Sequence, residues 1–288
     1  MFDRQNRKPF EDTGKPTWAR RDSVRYLGVL AALVIFGASL IQAAPALAFS
    51  MNMVPPSIRV SVKPGTSYHG QITLENDGDG AMPVAVTVED WIYSQDGGKT
   101  FLPTGSTPRS CAKWVSVEKK SVVLEPKIPT LVGFSVDLPK KASGGYFAVI
   151  FFKSGMGEGT YNGEAVTFSG RMGSILYIDT AGRTTPKGHL ADFHAVPTGQ
   201  RMLEVEFTFV NDGNTYLSGD GQIVVQKVGA KEPAELVRVE AINTLPGDVL
   251  KRKVVSKTAL EKGVYEVSLS ADLKRIPAVH DRTIVKVD

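Results

Sequence analysis

The 288-residue sequence has one cysteine, four histidines and no strong charge excess. A lone cysteine excludes an intramolecular disulfide framework and any multi-cysteine zinc or iron–sulfur site. His189 and His194 lie five apart on one predicted strand, which sends them to opposite faces and makes them poor co-ligands. There is no Gly-x-Ser-x-Gly and no His-Glu-x-x-His. The run Gly155-Met156-Gly157-Glu158-Gly159 leads into another strand rather than a helix, so it reads as a long hairpin loop and not as a phosphate cradle. Glu89 and Asp90 are strand neighbours that point apart, unlike the facing carboxylates of a glycosidase. The residues select no nucleophile or base and call for no cofactor or metal, so a non-enzyme is expected. Lysine and arginine number 34 against 30 acidic residues. Seven of the basic and four of the acidic residues fall in positions 1–25, which leaves the remainder at +1. The body therefore lacks the field of a nucleic-acid binder.

A leader is present. Arg20, Arg21 and Arg25 precede an uncharged apolar run from Tyr26 to Ala44, followed by Pro45-Ala46-Leu47-Ala48-Phe49. Basic flank, apolar stretch and Ala-x-Ala ending read as a secretory signal cut after Ala48. The run also approaches the ~20 residues of a membrane-spanning helix. Residues 1–48 thus stand as a signal peptide or, through residues 26–48, an inner-membrane anchor. On either reading residues 49–288 are exported, to the periplasm or the cell surface. Cys111, between Arg109 and Lys113, reads as a buried small hydrophobe beside a strand rather than a reactive thiol.

Past the leader, no amphipathic helix is evident. Ile58–Val62, Val84–Val88 and Leu203–Phe209 alternate apolar and polar with period two, which places one set of side chains on a core face. Tyr146–Phe152 is almost wholly apolar, as a strand covered on both faces would be. Breakers every 8–15 residues or so point to β-sandwiches. The fold class is therefore all-β, with two tandem immunoglobulin-like sandwiches after the N-terminal signal or anchor helix. An internal echo supports two units. Leu74-Glu75-Asn76-Asp77-Gly78 matches Phe209-Val210-Asn211-Asp212-Gly213, and later strands open at Tyr146 and Tyr265. The units are placed at 49–181 and 186–288, with an insertion near 93–113 in the first. Asn-Asp-Gly predicts tight turns, since Asn and Asp accept local backbone bonds and Gly supplies positive φ. A calcium site at Asp77 and Asp79 is the alternative, but two carboxylates fall short of the six to eight oxygens Ca²⁺ takes. Tyr146 and Tyr265 are candidate corner tyrosines. Trp91, Tyr93, Phe101 and Trp114 gather around the insertion, either as a surface that stacks on sugars or a peptide or as a cap on the sandwich.

The segments Pro56–Gly65, Gly70–Asn76, Met82–Val86, Trp114–Val117, Val123–Pro126, Phe134–Pro139 and Gly145–Phe152 together resemble the periplasmic pilus-chaperone (PapD-like) superfamily. They are also similar to the two-domain surface proteins that accompany WxL-domain proteins on bacterial walls. The resemblance covers most of 55–180 and, more loosely, 200–288. It implies donor-strand complementation, in which a strand edge is lent to an incomplete subunit. It also implies an Arg and a Lys in the interdomain cleft that hold the subunit's terminal carboxylate. Arg59 and Lys63 lie near the corresponding first strand, and Arg183 and Lys187 near the linker, although none sits in a motif that carries the role across. Met172–Ile178 is the candidate lending strand, with Ser174, Ile175, Leu176 and Tyr177 at its centre. The expected partner is a surface or pilus-like subunit at the cell envelope, bound by edge-strand pairing. The competing expectation is a wall- or glycan-binding module built on the four aromatics.

Overall fold

The computed structural model describes residues 50–94, 97–161 and 164–288; the leader, with its proposed cleavage site and anchor, lies outside the described residues. In chain order the strands are β1 (Met51–Val54), β2 (Ser57–Val62), β3 (Ser67–Asn76), β4 (Met82–Tyr93), β5 (Lys99–Leu102), β6 (Val115–Val117), β7 (Ser121–Leu124), β8 (Thr130–Asp137), β9 (Gly145–Tyr161), β10 (Glu164–Thr180), β11 (His189–Pro197), β12 (Leu203–Val210), β13 (Leu217–Lys227), β14 (Glu235–Thr244), β15 (Val249–Val255), β16 (Gly263–Asp272) and β17 (Val279–Val287). Among the described residues the helical content is one 3₁₀ turn, Ala112–Trp114.

Two sandwiches follow one another. The first stacks the sheet β1-β3-β8-β6 on the sheet β2-β10-β9-β4, to which β5 and β7 add along β4. The second stacks β11-β12-β15 on β14-β13-β16-β17. The first strand of the chain is shared between both sheets of its sandwich. β1 pairs antiparallel with β3, the chain crosses at Pro55-Pro56, and β2 then pairs parallel with Ile175–Thr180 of β10. Alternation explains the cores. In β12, Leu203, Val205, Phe207 and Phe209 are buried while the residues between them are half-exposed. The central strand β9 is apolar on both faces. Ala148, Ile150 and Phe152 enter the first sandwich's core. Phe147, Val149 and Phe151 face the opposite way, into a separate cluster with Trp91, Ile175, Tyr177 and, from the second sandwich, Tyr216 and Leu245.

The echoed Asn-Asp-Gly segments are the same staple built twice. Asn76 and Asn211 are fully buried. Asn76 Nδ2 donates to Gly80 O (2.7 Å) and Leu124 O (3.1 Å), and its Oδ1 accepts Gly78 N–H (2.9 Å). Asn211 Nδ2 donates to Thr215 O (3.0 Å) and Thr244 O (3.2 Å), and its Oδ1 accepts Gly213 N–H (3.0 Å). Each side chain sews a strand end to its own turn and to a neighbouring strand, which satisfies carbonyls that burial would otherwise strand. Tyr265 is a corner tyrosine: its hydroxyl donates to Glu261 O at 2.9 Å. At Tyr146 the direction is reversed, since its hydroxyl accepts Ser143 N–H at 3.3 Å.

One expected loop is a strand. Gly155–Gly159 lie inside β9 and pair with Ser169–Val166 of β10, with a register shift between Phe168 and Ser169. The paired register continues to Tyr161 and Glu164. β4 leaves β9 after the pair Val84–Ser154, so beyond Ser154 the hairpin is a two-stranded ribbon with no second layer. Glycine costs least there, because no packing partner is lost.

Candidate protein-binding edge and cleft

The outer half of β10 has one unpaired rim. Ile175–Thr180 have neighbours on both sides, β9 and β2. Ile175 N–H donates to Pro56 O (3.0 Å) and Ser174 Oγ to Pro55 O (2.8 Å), which closes that end. From Glu164 to Gly173, β10 has β9 on one side and, among the described residues, nothing on the other. This corrects the expected lending segment. Ser174, Ile175, Leu176 and Tyr177 are buried in the paired part, and the open rim lies N-terminal to them. The reason is the parallel β2–β10 pairing, which joins residues more than a hundred positions apart and leaves no local mark.

The open rim spans ten residues, roughly 33 Å of strand. On the core-side face it presents Val166, Phe168 and Met172; Phe168 is 48% exposed and the other two are half-buried. On the outer face stand Thr167, Ser169 and Arg171. Arg171 pairs with Glu89 through two contacts of 3.0 and 3.1 Å and lies over the Phe151 ring at 4.0 Å.

Several other sheet edges are guarded. β1, β5, β6 and β7 are only three or four residues long. β14 carries Glu235, Arg238 and Glu240 and is broken at Ala241, which sits at φ +56°. β15 carries Lys251-Arg252-Lys253. Short edges, charges and breaks are what keeps a strand rim from recruiting another chain. Ala165–Gly170 is six successive residues without charge or proline, interrupted by the register shift at Phe168–Ser169.

At the closed end of the rim lies the cleft between the sandwiches, a 270 Å³ hollow lined by Arg59, Ser61, Tyr177, Asp179, Tyr216 and Arg275 among others. Arg59 sits on β2 opposite Tyr177. Its guanidinium lies 4.4 Å from the Tyr177 ring centre and 5.6 Å from that of Tyr216, so rings from both sandwiches form its seat. The Arg59 side chain is exposed and, among the described residues, pairs with no carboxylate; it donates to Ser57 Oγ. Arg275 is committed elsewhere, to Asp179 (2.9 Å) and Thr215 Oγ1 (2.9 Å). Burial, ahead of its neighbours' charges, pushes the Tyr177 phenol up to about 12. Burial also holds Tyr93 well above the usual phenol range. Both hydroxyls are therefore protonated at neutral pH and serve as donors in a cluster with Tyr216, whose own hydroxyl reaches Asn243 Oδ1 at 3.0 Å.

The remaining expected site residues fall elsewhere. Lys63 is exposed in the turn after β2 and does not line the cleft. Arg183 is a staple rather than a partner contact: its Nη1 donates to Lys140 O and Ala142 O at 3.0 and 3.1 Å, pinning the linker to the first sandwich. The four aromatics form no stacking platform. Trp91 is 1% exposed, packed edge-on against Tyr93, Phe147 and Tyr177. Phe101 packs on Phe151 and Trp114 on Tyr146. The insertion folds back over the outer face of β9, which buries Trp91 and leaves Tyr93, Phe101 and Trp114 half-buried. Cys111 is fully buried, and desolvation raises its thiol well above the ordinary value. The signal that sequence reasoning missed is Ala165–Gly170, the one long uncharged stretch on an edge.

Comparison with known proteins gives fold-level likeness only. No family model matches the chain. No curated protein matches it either. Among solved structures it is similar to the YadV chaperone (11% identity, 82% of this chain and all of that one, TM-score 0.43). It is also similar to the class 5 fimbriae chaperone CfaA (9% identity, 83% and 99%, TM-score 0.41). A third is the CsuC–CsuE chaperone–tip subunit pre-assembly complex from the archaic chaperone-usher Csu pili of Acinetobacter baumannii (12% identity, 75% and 92%, TM-score 0.40).

Proposed function

We propose that this is an exported, non-enzymatic binding protein of the bacterial envelope that holds an extended segment of a protein partner along the open rim of β10. It would act in the manner of a pilus-assembly chaperone, with units 49–181 and 186–288 and a surface or pilus-like subunit as partner. One observation carries this reading: the ten-residue rim of β10 is open along one side and holds, at Ala165–Gly170, a run with neither charge nor proline to discourage strand addition. A strand laid there gains main-chain hydrogen bonds, and Val166, Phe168 and Met172 offer alternating apolar side chains to the partner's core. Arg59, exposed and without a carboxylate of its own at the closed end of the rim, suits a partner's terminal carboxylate.

The test is capture from envelope fractions by the exported protein and by its Val166→Asp and Phe168→Asp variants. Wild type should recover one stoichiometric protein, and each variant should lose it while keeping its circular dichroism. Equal recovery by all three, or recovery of nothing under mild conditions, overturns the reading. For Arg59, a partner peptide with a free C-terminus should bind wild type more tightly than its C-terminal amide, and Arg59→Ala should erase that difference.

A further inference from the structure

The insertion does more than cover β9. β4 runs past the sheet to Tyr93, turns, and returns as β5, which forms an arm. The arm's root is pinned by a fully buried carboxylate. Asp90 Oδ2 accepts Thr107 N–H (2.9 Å) and Thr107 Oγ1 (3.3 Å), and its Oδ1 accepts Ser110 Oγ. The return leg is bonded to β9 in both directions, Phe147 N–H to Arg109 O (2.8 Å) and Cys111 N–H to Phe147 O (3.0 Å). The arm is therefore rigidly part of the first sandwich, yet its far side touches the second.

Three contacts make that reach. Tyr93 packs edge-on against Trp91 (5.1 Å), Trp91 meets Tyr177 of β10 in the same way (5.5 Å), and the Tyr177 ring lies 4.6 Å from that of Tyr216, at the entrance to β13. Trp91 and Leu245, the latter in the β14–β15 turn, share one buried apolar cluster. At the tip, Gly97 lies so close to the Arg252 guanidinium of β15 that a Cβ there would stand 2.3 Å from Nη2. The linker is fastened too. Asn214 O accepts Gly145 N–H (2.7 Å), its Nδ2 donates to Arg183 O (3.1 Å) and its Oδ1 accepts Thr185 N–H (2.6 Å). A linker alone is a hinge; a linker together with a separate arm that grips the second sandwich at further points restrains its swing.

We infer that the β4–β5 arm is a strut that fixes the angle between the two sandwiches, and that Tyr93 thereby positions Tyr177 and Tyr216 as one seat beneath Arg59. The strut is a property of the free chain and stands whether or not β10 binds a strand.

The experiment measures residual dipolar couplings of the exported protein, fitted separately for each sandwich. Wild type should align as one body, with a single tensor. Gly97→Trp wedges the half-buried tip off β15 at a position outside both cores, and should give two tensors with a reduced magnitude for one sandwich, while chemical shifts show both still folded. Tyr93→Phe keeps the ring packed on Trp91 and loses only the hydroxyl; it should shift the resonances of Tyr177, Tyr216 and Arg59 together. Two tensors in wild type, or an unchanged single tensor in Gly97→Trp, overturns the strut. Movement of the Tyr177 resonances alone in Tyr93→Phe overturns the positioning role.

Discussion

Replacing Asn211 with alanine tests the account of the fold at its most exacting point. The side chain is fully buried and makes four hydrogen bonds, three from Nδ2 to Thr215 O, Thr244 O and Thr244 Oγ1 and one from Gly213 N–H to Oδ1. Each bond is worth roughly 1 kcal/mol net, and the backbone groups left behind have no water to turn to, so the loss should be about 2–4 kcal/mol. That is a large share of the roughly 5–15 kcal/mol by which domains are usually stable. Asn211→Asp should be worse than alanine. It keeps the acceptor for Gly213 but sets a carboxylate oxygen against two carbonyl oxygens in a buried site. Urea unfolding followed by circular dichroism gives the free energies, and amide exchange at Gly213 reports whether the turn has opened. The turn carries Asn214, which holds the linker, so the amides bonded to Asn214, Gly145 and Thr185, should lose protection in the same variant. A cost for Asn211→Ala below about 1 kcal/mol, or an Asp variant no worse than the Ala variant, would refute the staple. Asn76→Ala, the matching substitution in the first sandwich, should cost a similar amount.

Further outcomes follow from single side chains. Tyr265→Phe removes the hydroxyl bonded to Glu261 O and should cost about 1 kcal/mol in the same urea assay. Burial raises the Asp248 carboxyl in the folded state, although Leu245 N–H pulls the other way. The folded chain therefore binds that proton more tightly than the unfolded chain, so stability falls as pH rises from the ordinary aspartate value through the raised one. Asp248→Asn should flatten that part of the stability–pH curve, and an unchanged slope would count against the assignment. Cys111 should resist a thiol reagent in the folded protein and react only as fast as the molecule unfolds; rapid labelling under native conditions would contradict its burial. Arg275→Ala severs the Asp179 pair between the sandwiches, and because both partners are about a third or a quarter exposed, its cost should stay under roughly 1 kcal/mol and shrink with added salt.

The legible parts of this chain are those written in local chemistry. Period-two alternation in Leu203–Phe209 reports a strand with one buried face, because the pleat itself has that period. The apolar run Tyr146–Phe152 reports a strand covered twice, and both faces of β9 are covered. The repeated Asn-Asp-Gly is legible because asparagine bonds to its own turn. What covers the outer face of β9 is not legible, since Trp91, Phe101 and Tyr216 meet it from distant points of the chain. For the same reason Trp91 reads as a surface residue when it is among the most buried. The position of the open rim also escapes a sequence reading. It depends on where β2 joins β10, a parallel pairing with no turn between the two strands to announce it. Gly155–Gly159 misleads in another way, because glycine-rich sequence looks like loop wherever the reader assumes a packing layer that the ribbon does not have.

Pro55 and Pro56, where the chain crosses from one sheet to the other, have a consequence for anything that comes to lie on β10. Neither residue has an amide proton to give, and their carbonyls are already taken by Ser174 and Ile175. A visiting strand that slides inward along the track meets this pair of rings as a buffer stop. Where it halts is decided by the host, and so is which of its side chains lands beside Met172 and which beside Phe168.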